Sequence, residues 1–345
     1  QVLALAPEDP DAHNLRGLLY EQQADYEQAL DHYQRVVELA PDSPVGFLNR
    51  ADTLMALGRV DDALTDYQTA IEIAPTYGEA RAGIARVLAT RGQYEDALDQ
   101  ITQALHTDPD NPSILALQAD IEVTRADDAR LSGDEDTAIA AYQAAQTGYD
   151  HVLTLLPDNP AVLFSRGQVR MSLGDSEGAR ADAEWALAID DEFPEGHLLR
   201  GQLYEADDEY EQAQEHYQRV VELAPEDPIG YVSRGDVRRP LGQYHRSLWD
   251  YERALKLDER YAWAHLGRGL ALLELAEMDL GQGRHRQAIE KSEAALAAGD
   301  RALAFGYEAA SAQWLRGLAL RSLESYDEAV AAFDLALEAM PANVD

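Results

Sequence analysis

The stretch YEQALDHYQRVVELAP, Tyr26–Pro41, returns as YEQAQEHYQRVVELAP at Tyr210–Pro225. Fourteen of the sixteen positions are identical, and the two exceptions, Leu30 against Gln214 and Asp31 against Glu215, are adjacent. Each copy reads as a turn, a helix and the proline that stops it. A stretch written twice points to a structural unit, so the period is the first thing to establish.

Working outward, units begin at Pro10, Pro44, Gly78 and Pro112, a constant step of 34 residues. A step of 48 leads to Pro160, steps of 34 resume at Pro194, Pro228 and Ala262, and a second 48-residue step reaches Ala310. The eighth position is always glycine or alanine (Gly17, Ala51, Ala85, Ala119, Gly167, Gly201, Gly235, Gly269, Gly317). The twentieth is alanine or serine, from Ala29 to Ala329. Small residues at both places let two helices cross closely. The twenty-fourth position is usually a ring, as in Tyr33, Tyr67, Tyr149, Tyr217, Tyr251 and Phe333, although Ala183 and Gly299 depart from this. Proline usually closes the unit, and Pro240 shortens one first helix.

This pattern of helix, turn, helix and turn resembles the tetratricopeptide repeat family, in nine units covering nearly the whole chain. The resemblance implies an all-α fold: an α-solenoid, a right-handed superhelix of stacked antiparallel helical hairpins with a concave groove lined by the first helices. Residues 1–9 read as the tail of a preceding repeat, and residues 10–345 as a single solenoid. The long units, 112–159 and 262–309, carry fourteen extra residues each. Sharing them gives each helix about seven more residues, roughly two turns, so the apolar face keeps its phase and the hairpin tip projects.

Composition excludes several functions. The chain has 345 residues and no cysteine, which rules out disulfides and thiolate chemistry. Sixty-four acidic against 28 basic residues give a formal charge of −36, unsuited to nucleic acid and suited to basic partners. No run of the roughly 18 apolar residues needed to cross a bilayer occurs, so no membrane insertion is expected. The compartment stays open. No phosphate loop, nucleophile elbow or metal-ligand pair stands out, and PDNP at Pro157–Pro160 lacks the spacing of a calcium loop. The expected protein is non-enzymatic and needs no cofactor.

Arginine recurs at the seventh position. An intra-hairpin ion pair explains it better than an anion site, because Asp66, Asp182 and Asp250 stand opposite Arg50, Arg166 and Arg234. His32 and His216 occupy one place in the two copies and read as packing residues.

The resemblance places ligands in the groove. Its lining positions hold Asn14, Leu48, Phe164, Leu198, Val232, Leu266 and Trp314 at the fifth place. The ninth holds Asp52, Arg86, Asp120, Gln168, Gln202 and Asp236; the twelfth adds Met55 and Met171, and Trp263 stands at a second position. The lysine and asparagine set with which chaperone-binding members clamp a peptide carboxylate is missing. The expected function is an interaction scaffold for a protein or peptide with apolar and basic side chains.

The alternative is a subunit stacking end to end on copies of itself, through Val2, Leu3 and Leu5 at the start and Phe333 and Leu337 at the finish. The tips could assist: one is acidic (Asp134, Glu135, Asp136) and the other carries Arg284, His285 and Arg286.

Overall fold

Proline sets where the chain enters each hairpin. Pro10, Pro44, Pro112, Pro160, Pro194 and Pro228 each open a helix, where a missing N–H costs nothing. Asp9, Asn159 and Asp227 precede three of them and accept a backbone N–H of the first turn. In the computed structural model, which describes residues 8–307 and 309–339, all regular structure is helical. Eighteen helices pair into nine hairpins.

The described chain divides into two compact bodies. One comprises residues 1–130 with 134–157, the other residues 158–345 with 131–133. In the N-terminal body α1 (Pro10–Glu21) pairs with α2 (Tyr26–Leu39), α3 (Pro44–Ala56) with α4 (Val60–Ile73), and α5 (Gly78–Thr90) with α6 (Tyr94–Thr107). The long pair is α7 (Pro112–Leu131) and α8 (Glu135–Leu155), of 20 and 21 residues against 13 and 14 in the preceding pair.

The C-terminal body starts with α9 (Pro160–Ser172) and α10 (Ser176–Ile189), α11 (Pro194–Ala206) and α12 (Tyr210–Leu223). Then come α13 (Pro228–Arg238) and α14 (Tyr244–Leu257), the long α15 (Ala262–Gly281) and α16 (His285–Ala304), and α17 (Ala309–Ser322) with α18 (Tyr326–Ala339). Pro240 leaves α13 with 11 residues.

The turn inside each hairpin needs one residue at positive φ. Gly58, Gly92, Gly133, Gly174, Gly242 and Gly283 supply it in six units, and Ala24, Asp208 and Glu324 adopt φ near +60° in the other three.

The core is built around the twenty-fourth position. Tyr33, Tyr67, Tyr217 and Tyr251 are all 0% exposed. Each ring lies on the eighth residue of its own first helix: a methyl on Gly17, Gly201 or Gly317 would fall within 2.5, 2.4 and 2.5 Å of Tyr33, Tyr217 and Phe333. The opposite face of the ring meets the sixth residue of the following unit. A methyl on Gly83 would come within 2.3 Å of Tyr67, and one on Gly267 within 2.3 Å of Tyr251.

Where the ring is missing, the partner changes. Ala183 is followed by Leu199, packed against Ala179 and Ala183; Gly299 is followed by Leu315, 3.5 Å from where its methyl would be. Both leucines are 0% exposed, so a large sixth residue fills the space that the small twenty-fourth leaves open. Ile101, intermediate in size, packs with Leu117. The two departures from the ring pattern are therefore compensated one helix later.

Candidate functional site

The arginine stripe is internal. Arg50 grips Asp66 through Nε and Nη2, both at 2.6 Å. Arg166 and Arg234 reach Asp182 and Asp250 at 2.5 Å in the same register. Arg170 and Arg238, one helical turn further on, add second bonds to those carboxylates at 2.8 and 2.5 Å. In two units whose twenty-third residue is not acidic the arginine turns to the preceding unit, Arg200 to Glu184 and Arg316 to Asp300, each at 2.6 Å, while Arg16 donates to the Tyr20 hydroxyl at 3.2 Å. The pairs to Asp66, Asp182 and Asp250 are bidentate and largely buried, and tie the two helices of a hairpin together. Burial pushes the Asp250 carboxyl up, and Arg234 and Arg238 oppose that.

The groove acids have partners of their own. Tyr67, Tyr149 and Tyr251 donate their hydroxyls to Asp52, Asp120 and Asp236 at 2.6, 2.5 and 2.6 Å. In two other units the acceptor is the twelfth residue: Tyr33 donates to Glu21 at 2.9 Å and Tyr217 to Glu205 at 2.7 Å. Asp52 also pairs with Arg86 at 2.8 Å. Burial raises the carboxyls of Asp120 and Glu205, and pushes Asp236 up to about 7. The same burial, with the adjoining carboxylate, raises the hydroxyls of Tyr33, Tyr67, Tyr217 and Tyr251 above the usual phenol range. These acids thus serve to satisfy a buried hydroxyl first. The signal was present in the sequence: every unit with tyrosine at its twenty-fourth position has an acid at its ninth or twelfth, and no other unit does.

The remaining groove candidates divide by exposure. Leu198 and Val232 are 5% and 2% exposed and belong to cores around Tyr217 and Tyr251, which corrects their assignment as lining residues. Their fifth position tilts onto the neighbouring second helix. Phe164, Met171, Leu48, Met55 and Leu266 are half-buried beside those cores. Polar positions link along the stack, Gln168 donating to Gln202 at 2.8 Å and Asn49 to Asn14 at 2.7 Å. Trp263 and Trp314 stay 51% and 47% exposed, the latter with its ring centre 4.9 Å from that of Phe333.

One concavity in the C-terminal body collects unsatisfied groups. It measures about 400 Å³ and is lined by α13, α15 and α17 through Arg239, Leu270, Leu273, Glu274, Glu277, Leu280, Leu318, Arg321 and Ser322. Arg239 and Glu274 pair loosely across it at 3.3 Å. Among the described residues neither Glu277 nor Arg321 has an ion-pair partner. The floor is leucine and the rim carries one exposed charge of each sign.

The tips keep less free charge than expected. Asp134 caps α8 by accepting the Thr137 N–H at 3.1 Å, and the Thr137 side chain, then that N–H, hold its carboxyl below the usual range. Asp127 and Asp128 accept the hydroxyls of Tyr142 and Tyr94. Arg284 is bound to Asp279, while Arg286 is exposed and pairs only with Glu290, at 2.9 Å. Glu135 is exposed at the start of α8. Val2, Leu3 and Leu5 lie outside the described residues; Leu337 is 61% exposed and Phe333 half-buried.

The histidines form pairs that the sequence did not announce. His13 and His32 approach at 2.9 Å between their Nδ1 atoms, and His197 and His216 at 3.1 Å. His32 stacks on Tyr20 and His216 on Tyr204. Burial, then His197 and Arg200, lower His216 to about 4. Among the described residues no three histidine or acidic side chains are placed to share a metal ion, and no helix is long and apolar enough to cross a membrane.

Sequence models of the tetratricopeptide repeat match residues 10–43, 54–121, 194–227 and 274–344, and one of the TPR repeat matches 235–275. The chain is a tetratricopeptide repeat protein. Small glutamine-rich tetratricopeptide repeat-containing protein 2 of Saccharomyces cerevisiae is 28% identical over 116 residues, 33% of this chain and 34% of its own length. Tetratricopeptide repeat protein 12 of Mus musculus is 30% identical over 97 residues, 28% of this chain and 14% of its own. The match therefore spans about a third or less of these relatives. A solved tetratricopeptide repeat protein from Parabacteroides merdae shares the fold with a TM-score of 0.58 at 19% identity, over 79% of this chain and 97% of that one. PilW, a type IV pilus biogenesis factor, aligns with a TM-score of 0.51 at 17% identity, covering 63% and 94%. Members of this family typically mediate protein–protein interactions and are generally non-catalytic.

Proposed function

We propose that this tetratricopeptide repeat protein is a non-enzymatic scaffold. Its C-terminal body takes a peptide segment in the concavity between α13, α15 and α17. The observation that carries the reading is the leucine floor of Leu270, Leu273 and Leu318 beside an unpaired Glu277. An apolar side chain of the partner fills the floor, and a basic neighbour meets Glu277 and the loosely held Glu274. The formal charge of −36 steers basic segments toward the chain. Asp52, Asp120 and Asp236 contribute less to this than their positions imply, because tyrosines already hold them.

The test is selection of peptides from a random display library on the full chain. The expected winners carry an apolar residue next to lysine or arginine. Glu277→Arg, an exposed change, weakens their binding by at least about tenfold without altering the melting temperature, and Arg321→Glu does not weaken it. Winners without basic residues, or winners that bind Glu277→Arg as tightly as wild type, overturn the proposal.

A further inference from the structure

The pairing of sixth and twenty-fourth residues has a consequence at two faces that no described hairpin covers. On α18, Tyr326, Val330 and Leu337 are 61%, 58% and 61% exposed around Phe333. The matching side chains Tyr94, Leu98 and Leu105 on α6, and Tyr244, Leu248 and Leu255 on α14, are half-buried. On α1, Leu15, at the sixth position, is 61% exposed, with Leu18 and Leu19 beside it at 41% and 49%. Its counterparts Leu199 and Leu315 are 0% exposed, each seated over a unit whose twenty-fourth residue is alanine or glycine.

Within the two bodies the rule holds at every covered tyrosine. Tyr67 and Tyr251 leave no room for even a methyl group at Gly83 and Gly267. Tyr33 and Tyr217 are followed by Asn49 and Ser233 at the same place. Each of these four rings therefore takes a neighbour without a large apolar side chain; leucine follows alanine or glycine at Leu199 and Leu315, and follows Ile101 at Leu117.

We propose that the apolar face around Phe333 docks a repeat hairpin whose first helix carries glycine, serine or asparagine at its sixth position, and that it rejects the first helix of a second copy of this chain. Seating Leu15 on Phe333 places a leucine on a ring, a combination that none of the four covered tyrosine rings in these bodies shows. Such overpacking forces side chains off their rotamers. The pair thus selects the partner: the apolar area around it supplies attraction to any helix, and residue size at one contact decides which helix fits. This goes beyond the groove reading and does not depend on it.

The test uses four full-length chains: wild type, Leu15→Ser, Phe333→Ala and the double variant, compared by sedimentation velocity over a range of concentrations. Leu15→Ser gives α1 the small sixth residue that Phe333 needs, and should tighten self-association by at least about tenfold over wild type. Phe333→Ala makes a match for Leu15 and should tighten it similarly. The double variant has two small residues facing each other and should fall back toward wild type. Leu15 is exposed, so its substitution leaves the fold intact, and circular dichroism melts check this for each chain. Wild type that self-associates as tightly as Leu15→Ser, or four chains that behave alike, overturn the proposal.

Discussion

At the scale of single residues, the tyrosine–carboxylate contact is the least expected feature. Tyr251 and Asp236 show its terms: a buried hydroxyl donates at 2.6 Å to a carboxyl that burial raises to about 7. Tyr251→Phe removes the donor and leaves the buried acid short of a partner, which should cost about 1–3 kcal/mol in chemical denaturation. Asp236→Leu in the same chain should recover much of that loss, because the unit with Phe333 already carries Leu318 at the ninth position. Additive losses in the double variant would refute the coupling.

The sign of the pH effect follows from the same contact. Asp236 has a folded value raised above that of the unfolded chain. Its contribution is therefore present at low pH and is lost as pH rises from about 3.8 through about 7. The difference in stability between wild type and Asp236→Leu should change across that window; a flat difference would exclude it. The ninth-position acids read as groove lining because the family resemblance places ligands there. What hides their role is a partner fifteen residues on in an ordinary unit and twenty-nine on in a long one. The Arg50–Asp66 pair was legible because the same sixteen-residue offset returns at Arg166–Asp182 and Arg234–Asp250.

At the scale of elements, helix starts were legible from proline and period, and the long hairpins from fourteen inserted residues. The histidine pairs were not, since each joins a fourth to a twenty-third residue and neither position is constant across units. Charge at the tips misled for a local reason: a helix start captures an acid as its cap, as Asp134 does, and a nearby carboxylate captures an arginine, as Asp279 does. The turns offer a direct test. Asp208 holds φ at +60°, a conformation that costs a non-glycine residue roughly 1–2 kcal/mol. Asp208→Gly should raise stability by up to about 1 kcal/mol, less than the full strain because glycine also loosens the unfolded chain. No change or a loss in the denaturation midpoint would show that the aspartate side chain, which accepts the Tyr210 hydroxyl at 2.5 Å, matters more than the strain.

At the scale of the whole molecule, charge and order dominate. A formal −36 repels itself, and ions at about 0.15 M screen such repulsion beyond roughly 8 Å. Raising sodium chloride from a few millimolar to that level should raise the melting temperature; a fall would mean that exposed ion pairs outweigh repulsion. The size pairing between neighbouring units also constrains how such a chain can lose a repeat in descent. Dropping residues 228–261 would bring Tyr217 against Gly267, a join of a kind already used. Dropping residues 194–227 would set Ala183 against Ser233, two small residues facing an empty space. Nine units that look interchangeable by period are therefore not interchangeable by neighbour, and a lineage can shorten this protein at some joins and not at others.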